Sequence, residues 1–289
     1  MNGILLIDKE PGWTSSDVVV KLKGILHERR IGHAGTLDPM ATGLLVVFVG
    51  RATRAVQFAE CDSKRYRAAL RLGITTDTQD TTGSILEHRQ VPIAQEDLEK
   101  VLERFRGNIE QVPPMYSAIQ IGGKRLYEIA RKGGTVERAA RPVTIHELSI
   151  AGREGEDWLL DVCCSKGTYI RTLCHDIGQA LGCGGCMSAL RRTEAGCFRV
   201  SDAITVHDVQ RLWDAGEMEA RLLPVDTLFS REMVCTASAG EEKLIRCGTD
   251  YTSALPDGIY RVYSETGAFL MLGRAENGTM KTIKNFFEV

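Results

Sequence analysis

Along this chain the apolar positions recur with two periods, about 2 and about 3.6 residues, and their order predicts strands with helices packed against them. Ile4 to Ile7 is an unbroken apolar run, the pattern of a buried strand. Ser15 or Ser16 then offers a helix cap, and Val18, Val19, Leu22, Ile25 and Leu26 fall on one side of the helix that follows. Gly32 to Pro39 reads as a loop, and Leu44 to Val49 as a second buried strand closed by Gly50. From Lys64 to Leu72 the period is two. Tyr66, Ala68, Leu70 and Leu72 face one way, while Arg65, Arg67, Ala69 and Arg71 face the other, which predicts a half-buried strand with a basic face.

Glu96 to Phe105 carries a helical stripe of Leu98, Val101, Leu102 and Phe105. Pro113-Pro114 breaks the chain, Ser117 to Ile121 reads as a short strand, Gly122-Gly123 as its turn, and Arg125 to Lys132 as a helix. Thr144 to Ile150, Trp158 to Cys164 and Cys186 to Arg192 read as strands. Tyr169 to Leu181 reads as a helix, and another begins over His207 to Trp213. Beyond Leu222-Leu223-Pro224 the texture changes. Ile259 to Tyr263 and Ala268 to Leu272 suggest a small β-rich tail.

With 289 residues, 43% of them hydrophobic and 26% charged, the chain can build a sizeable core without staples. The net charge of −2 excludes a globally basic nucleic-acid binder. Any RNA contact must therefore come from local clusters: Arg29-Arg30, Lys64-Arg65 with Arg67 and Arg71, Lys124-Arg125 with Arg131-Lys132, and Arg138 with Arg141. The nine cysteines are an odd count at irregular spacing. No secretory leader or membrane-length apolar segment is visible, which predicts a cytoplasmic protein with reduced thiols. Cys183-Gly184-Gly185-Cys186, flanked by Cys174 and Cys197, is a lone CxxC without a matched second pair, so no metal site is expected.

The loop at Gly32 to Pro39 presents a carboxylate, Asp38, on a glycine-flanked turn stiffened by Pro39. Taken alone, Asp38 reads first as an aspartate capping a turn. Other short motifs stand around it in order. Asp8-Lys9, Pro11-Gly12 and Thr14-Ser15 precede it. Ala41-Thr42-Gly43-Leu44-Leu45, Gly50-Arg51-Ala52-Thr53, Lys64-Arg65-Tyr66, Leu72-Gly73 and Thr76-Asp77-Thr78-Gln79-Asp80 follow. Further on come Pro113-Pro114-Met115-Tyr116-Ser117-Ala118, Gly123-Lys124-Arg125-Leu126-Tyr127, Lys166-Gly167-Thr168-Tyr169-Ile170-Arg171 and Leu190-Arg191-Arg192-Thr193. Together, over about residues 3 to 230, they resemble the bacterial tRNA pseudouridine-55 synthases of the TruB family. One departure is Glu10, which stands between Lys9 and Pro11 where the family often has proline directly after the lysine.

The resemblance implies an α+β fold. It has a mixed, largely antiparallel central sheet with flanking helices over residues 1–232, an RNA-gripping insert at about 122–141, and a small β-barrel-like, PUA-like RNA-binding domain over 233–289. It implies conversion of the T-loop uridine of tRNA to pseudouridine on a flipped-out base. Asp38 matches the essential aspartate, Arg171 its cationic partner, and Tyr66 a tyrosine that stacks on the base and moves a proton. Tyr169 and Leu190 match walls of the uridine pocket, His33 a residue that takes the flipped base's place, and Lys9 a further substrate-site residue. Read singly, Tyr66, Tyr169 and Leu190 are core residues, Arg171 is a solvated helix charge and His33 a turn histidine. The resemblance further implies a monomer that binds the tRNA T-stem-loop with no cofactor and no obligatory protein partner. The rivals are a non-catalytic RNA-binding scaffold, a guide-RNA-dependent relative, and a carboxylate glycoside hydrolase, which needs a second catalytic carboxylate.

Overall fold

The computed structural model describes residues 1–59, 63–89, 92–117 and 119–287. In chain order the elements that build the first half are β1 (Gly3–Lys9), α1 (Ser15–Leu26), β2 (Ile31–Ala34), β3 (Thr42–Val49), β4 (Ser63–Leu72), β5 (Ile74–Thr76), β6 (Ile85–His88), α2 (Gln95–Glu103) and β7 (Gly107–Gln111). The short hairpin β8 (Gln120–Ile121) and β9 (Lys124–Arg125) leads into α3 (Leu126–Ala130). Then follow β10 (Arg141–Glu154), β11 (Asp157–Ser165), α4 (Ile170–Ala180), β12 (Gly185–Ala195), β13 (Phe198–Arg199) and α5 (Val206–Asp214). The tail holds β14 (Met233–Ala237), α6 (Ala239–Arg246), β15 (Tyr251–Thr252), β16 (Gly258–Ser264), β17 (Phe269–Glu276) and β18 (Thr279–Asn285).

The fold is α+β. Its main sheet runs β1-β3-β12-β4-β11-β10-β7, with β2 on β3 and β13 on β12, and only the β12–β3 pairing among these is parallel. One face is covered by α2 and α4, whose Leu98, Leu102, Leu173 and Ile177 pack with Tyr66, Ala68, Leu70 and Leu160. At the other end α1 and α5 cover β1 and β3, through Val18, Leu22, Ile25 and Val209 against Leu5, Ile7, Leu45 and Val47. The tail forms a second, curled sheet in the order β14-β16-β17-β18-β15. It is held to the main body by an aromatic cluster: Phe229 lies 5.5 Å from Phe58 and 5.9 Å from Phe286, and Phe286 stacks on Phe269 at 5.2 Å.

Several sequence expectations need correcting. Helix α1 is capped by Thr14, which forms a reciprocal capping box with Asp17; Ser15 is buried and serves another purpose below. Gly32 to Ala34 are not loop but part of β2, paired with Val46 to Phe48. So short a strand, bracketed by glycines, carries a turn-like local pattern. The expected strand over Ser117 to Ile121 shrinks to Gln120–Ile121, with Ala118 outside the described residues. The basic face of β4 is not free charge. Arg65 meets Glu147 at 2.7 Å, and Arg67 and Arg71 make paired contacts with Asp161 and Asp157. In the tail, β14 and α6 are too short to show a period, and β18 has only Met280 and Ile283 as apolar positions, so the three leave little trace in the sequence pattern.

Among the described residues no helix is long and apolar enough to cross a membrane. Cys174, Cys183 and Cys186 are buried. Burial pushes the Cys186 thiol up to about 11 and Cys174 higher, as for thiols packed in an apolar interior.

Candidate active site

Asp38 stands on the turn that joins β2 to β3, and the turn is pinned from several sides. Gly35 has φ +69°, and a Cβ there would lie 3.1 Å from Nη1 of Arg192, so only glycine lets the backbone pass this close. The Ser15 hydroxyl accepts from the Leu37 N–H at 2.9 Å and donates to the Leu37 carbonyl at 3.3 Å. The Pro39 carbonyl accepts from the Gly12 N–H at 2.8 Å and from Lys9 Nζ at 3.3 Å. Lys9 also donates to the carbonyls of Glu10 and Trp13, at 2.9 and 2.7 Å, and the residue is wholly buried. Its ammonium thus helps to hold the loop that presents Asp38. Burial lowers its pKa to about 8, against the pull of Asp38.

The carboxylate faces Arg171 of α4. Nε lies 2.9 Å from Oδ2 and Nη2 donates to Oδ1 at 3.3 Å, a two-point contact. The Arg171 side chain is 7% exposed and that of Asp38 34%, so the cation is sealed while the carboxylate keeps an open side. The other donors of Arg171 go to the carbonyls of Thr78 and Tyr116, at 3.2 and 2.8 Å. Asp80 stands behind, its Oδ2 3.8 Å from Arg171 Nε. Its Oδ1 accepts from the Thr78 hydroxyl at 2.8 Å and the Thr82 N–H at 3.0 Å. Burial raises the pKa of Asp38, Arg171 opposes that rise, and the negative charge of Asp80 adds to it.

Around this pair stand the aromatic and apolar walls. Tyr66, on β4, is 8% exposed and packs in one cluster with Leu37, Ala41, Ile170 and Leu190. Burial raises its pKa; the Arg192 guanidinium opposes this, and Asp38 is close enough to add to it. Tyr169 caps α4 and is clamped by Gln111, whose side chain accepts from the Tyr169 N–H at 3.0 Å and donates to its carbonyl at 3.3 Å. Its phenol, half-buried beside Ser117, also feels Arg171 and Asp38. Asp38, Arg171, Tyr66, Tyr169 and Leu190 are therefore gathered around one carboxylate–guanidinium pair. His33 sits apart on β2, opposite Val47. Burial, with the charge of Arg192 behind it, lowers its pKa, and its buried Nδ1 has no partner among the described residues. A half-buried imidazole kept neutral in this way suits stacking better than ion pairing.

The chain that builds this arrangement is similar to known proteins over most of its length. Residues 23–170 match the model of the TruB family pseudouridylate synthase N-terminal domain, and residues 171–230 that of the tRNA pseudouridylate synthase B C-terminal domain. The chain belongs to the TruB family. Among curated relatives, the tRNA pseudouridine synthase B of Syntrophomonas wolfei is 42% identical over 98% of this chain and 96% of its own length. That of Clostridium kluyveri is 40% identical over 99% of this chain and 100% of its own. Among solved structures, a Cbf5–Nop10–Gar1 complex contains a chain that superposes with a TM-score of 0.74 at 26% identity, covering 99% of this chain and 85% of that one. An H/ACA ribonucleoprotein bound to a substrate RNA containing 2′-deoxyuridine shares the fold at the same TM-score of 0.74 and 24% identity.

Within this TruB-family site, sequence reasoning missed Ser15, Asp80, Gln111 and Arg192. Asp80 and Arg192 lay inside short motifs already singled out, but neither carried a role. Gln111 stands two residues before Pro113-Pro114 and is 1% exposed. A buried glutamine at a break in the chain is the one local signal for it, since such a side chain must find partners.

Proposed function

We propose that this chain isomerises the T-loop uridine at position 55 of tRNA to pseudouridine, with Asp38 as the covalent catalyst on a flipped-out base. The observation that carries the reading is the carboxylate of Asp38, paired with the sealed Arg171 yet open on one side, with Tyr66, Tyr169 and Leu190 gathered around the pair. The reaction breaks the bond from uracil N1 to the ribose, turns the base and joins C5 in its place. A carboxylate suits this because it can attack an electrophilic carbon and leave again. Arg171 favours its ionised form against the burial that disfavours it. Tyr66 stacks on the base and carries a proton, while Tyr169 and Leu190 wall the pocket. His33 fills the gap left by the extruded base. Lys9 serves the substrate site by fixing the loop that presents Asp38.

In this reading residues 1–232 are the catalytic domain and residues 233–289 a small PUA-like RNA-binding domain. The segment 122–141 grips the RNA through its exposed cations. The enzyme acts in the cytoplasm as a monomer, without cofactor or obligatory protein partner.

The test is tritium release from T-loop RNA labelled at uridine C5, using the purified chain with no guide RNA or second protein added. Wild type releases tritium. Asp38→Asn loses about 10³-fold or more in rate while binding the same RNA, the scale seen when a covalently acting group is removed. Activity surviving in Asp38→Asn would remove Asp38 from the mechanism, and silence in wild type would return the chain to the scaffold or guide-dependent readings.

A further inference from the structure

We infer that Arg192 is a positioning residue that orients the phenol of Tyr66 and locks it to the Asp38 loop. The inference rests on Tyr66 being the proton carrier of the reaction proposed above. Arg192 lies on β12 between two strands of the site, directly across from Tyr66 on β4 and from Gly43 on β3. At Gly43 a Cβ would come within 2.3 Å of the Arg192 carbonyl, so β12 is pressed against β3 and the base of the arginine is fixed. The side chain is among the largest fully buried ones, at 1% exposure. Its Nε donates to the Leu44 carbonyl at 2.7 Å and its Nη2 to the Gly35 carbonyl at 2.8 Å. Because Arg192 and Tyr66 are cross-strand partners, the guanidinium stands on the phenol's side of the sheet, and its charge opposes the rise that burial imposes on the phenol's pKa. One planar group thus joins the start of β3, the first residue of the Asp38 turn and the phenol.

Among the described residues no carboxylate lies within ion-pair distance of Arg192. An unpaired buried cation is costly, and an apolar side chain of similar volume is the cheaper way to fill a core. Its placement makes sense if the charge serves the phenol. In the isomerisation C5 loses a proton and N1 gains one, so a phenol oxygen that takes the first and releases an equivalent one ends unchanged. A fixed guanidinium favours the anionic form of that oxygen while it holds the transfer geometry. The groups that weigh most on the phenol are Arg192, Cys164 and Asp38, of which Arg192 is the cation; a second cation, Lys64, lies two residues before Tyr66 on β4, with its Cε near Gly35.

The test places a difluorotyrosine, whose phenol is more acidic, at position 66 and follows its ¹⁹F signal against pH in wild type, Arg192→Lys and Arg192→Met. The Met variant is expected to raise the midpoint by about one pH unit or more. The Lys variant keeps a charge but loses the planar fork. It is expected to titrate near wild type while kcat, measured with tyrosine at 66, falls about tenfold at unchanged KM. Midpoints equal in all three proteins would overturn the electrostatic part, and wild-type kcat in Arg192→Lys would overturn the orienting part. If Arg192→Met does not fold, the Lys variant decides alone: a kcat loss at unchanged KM supports the inference, and wild-type kcat overturns it. The titration needs no turnover, so a shifted midpoint in a protein that releases no tritium would sink the proposed function and leave the link from Arg192 to Tyr66 standing.

Discussion

The outer face of β4 and the segment from residue 122 to 141 carry similar sets of cations, and the surroundings give them opposite uses. On β4, Arg65, Arg67 and Arg71 each lie against carboxylates across the sheet: Arg65 against Glu147 of β10, two strands away, and Glu194 of the adjacent β12, and Arg67 and Arg71 against Asp161 and Asp157 of the adjacent β11. These side chains balance one another across the sheet and leave little field for a polyanion. In the segment, Lys124, Arg125, Arg131 and Lys132 are exposed, and among the described residues none has a carboxylate within ion-pair distance. Arg125 and Arg131 instead sit over the ring of Tyr127, at 5.9 and 5.4 Å from its centroid. A stacked arginine keeps its charge available while its plane is fixed, which is useful against a phosphate backbone. The proposed active site is a third setting, where the carboxylate that pairs with the cation is, in the reading proposed above, itself the reactive group. What a cation does is therefore set by what its partner is free to do.

The sharpest break in that comparison is predicted at Arg171. Among the described residues Arg171 is the one direct ion-pair partner of Asp38, and Arg171→Gln leaves burial and Asp80 to raise the carboxyl's pKa with only the more distant charge of Lys9 opposing them. We expect kcat/KM to fall by about 10²- to 10³-fold, within the range of removing a group that stabilises a reacting charge. The pH profile gives the sign. On the proposed mechanism the reaction needs ionised Asp38, so activity is expected above its pKa and lost as pH falls through it. Arg171 holds that pKa down against burial, so the acid limb of kcat/KM moves to higher pH in Arg171→Gln. An acid limb that stays in place would show that the pair does not control ionisation.

Next in size is the exposed segment. Neutralising Lys124, Arg125, Arg131 and Lys132 together to Gln is expected to weaken T-loop RNA binding. It should also flatten the dependence of log K on log salt by roughly 0.7 for each phosphate that the variant no longer neutralises. Single-turnover rates at saturating enzyme should change little, because none of the four is among the groups gathered around Asp38. The equivalent changes on β4 should leave the salt slope as it was. An unchanged slope in the segment variant would place the RNA elsewhere.

Much of this frame was readable in the chain. The unbroken run at Ile4 to Ile7, the alternation around Tyr66 and the helical stripe after Tyr169 each became the element they described. Motif order brought Asp38, Tyr66, Tyr169, Arg171 and Leu190 into one candidate site. What stayed hidden depends on partners far away in sequence. Arg67 reads as a basic residue until β11 brings Asp161 across from it, 94 residues on. Arg192 reads as half of a basic pair, yet its neighbour Arg191 reaches Asp8 on a partly exposed face while Arg192 turns inward to Gly35. The alternation of strand side chains explains that divergence once the strand is in place, but which side is buried depends on the sheet. Lys9, similarly, became an anchor only when Glu10, Trp13 and Pro39 turned their carbonyls toward it.

The smallest predicted effect is also the strictest check on the comparison. The Arg67–Asp161 pair has good geometry, with Nε at 3.0 Å from Oδ1 and Nη2 at 3.1 Å from Oδ2, but its side chains are 53% and 35% exposed. Water and salt screen such a pair, so a double-mutant cycle of Arg67→Ala and Asp161→Ala should return a coupling of about 0.2–1 kcal/mol in unfolding free energy, shrinking in high salt. Asp161→Ala alone is the more telling variant. It leaves Arg67 uncovered beside Tyr66 on the same strand, so RNA affinity should then rise slightly at low salt if charge balance is what keeps this face silent. Affinity unchanged at every salt concentration would mean that the face is too far from the bound RNA to matter, and that its pairing serves the sheet alone.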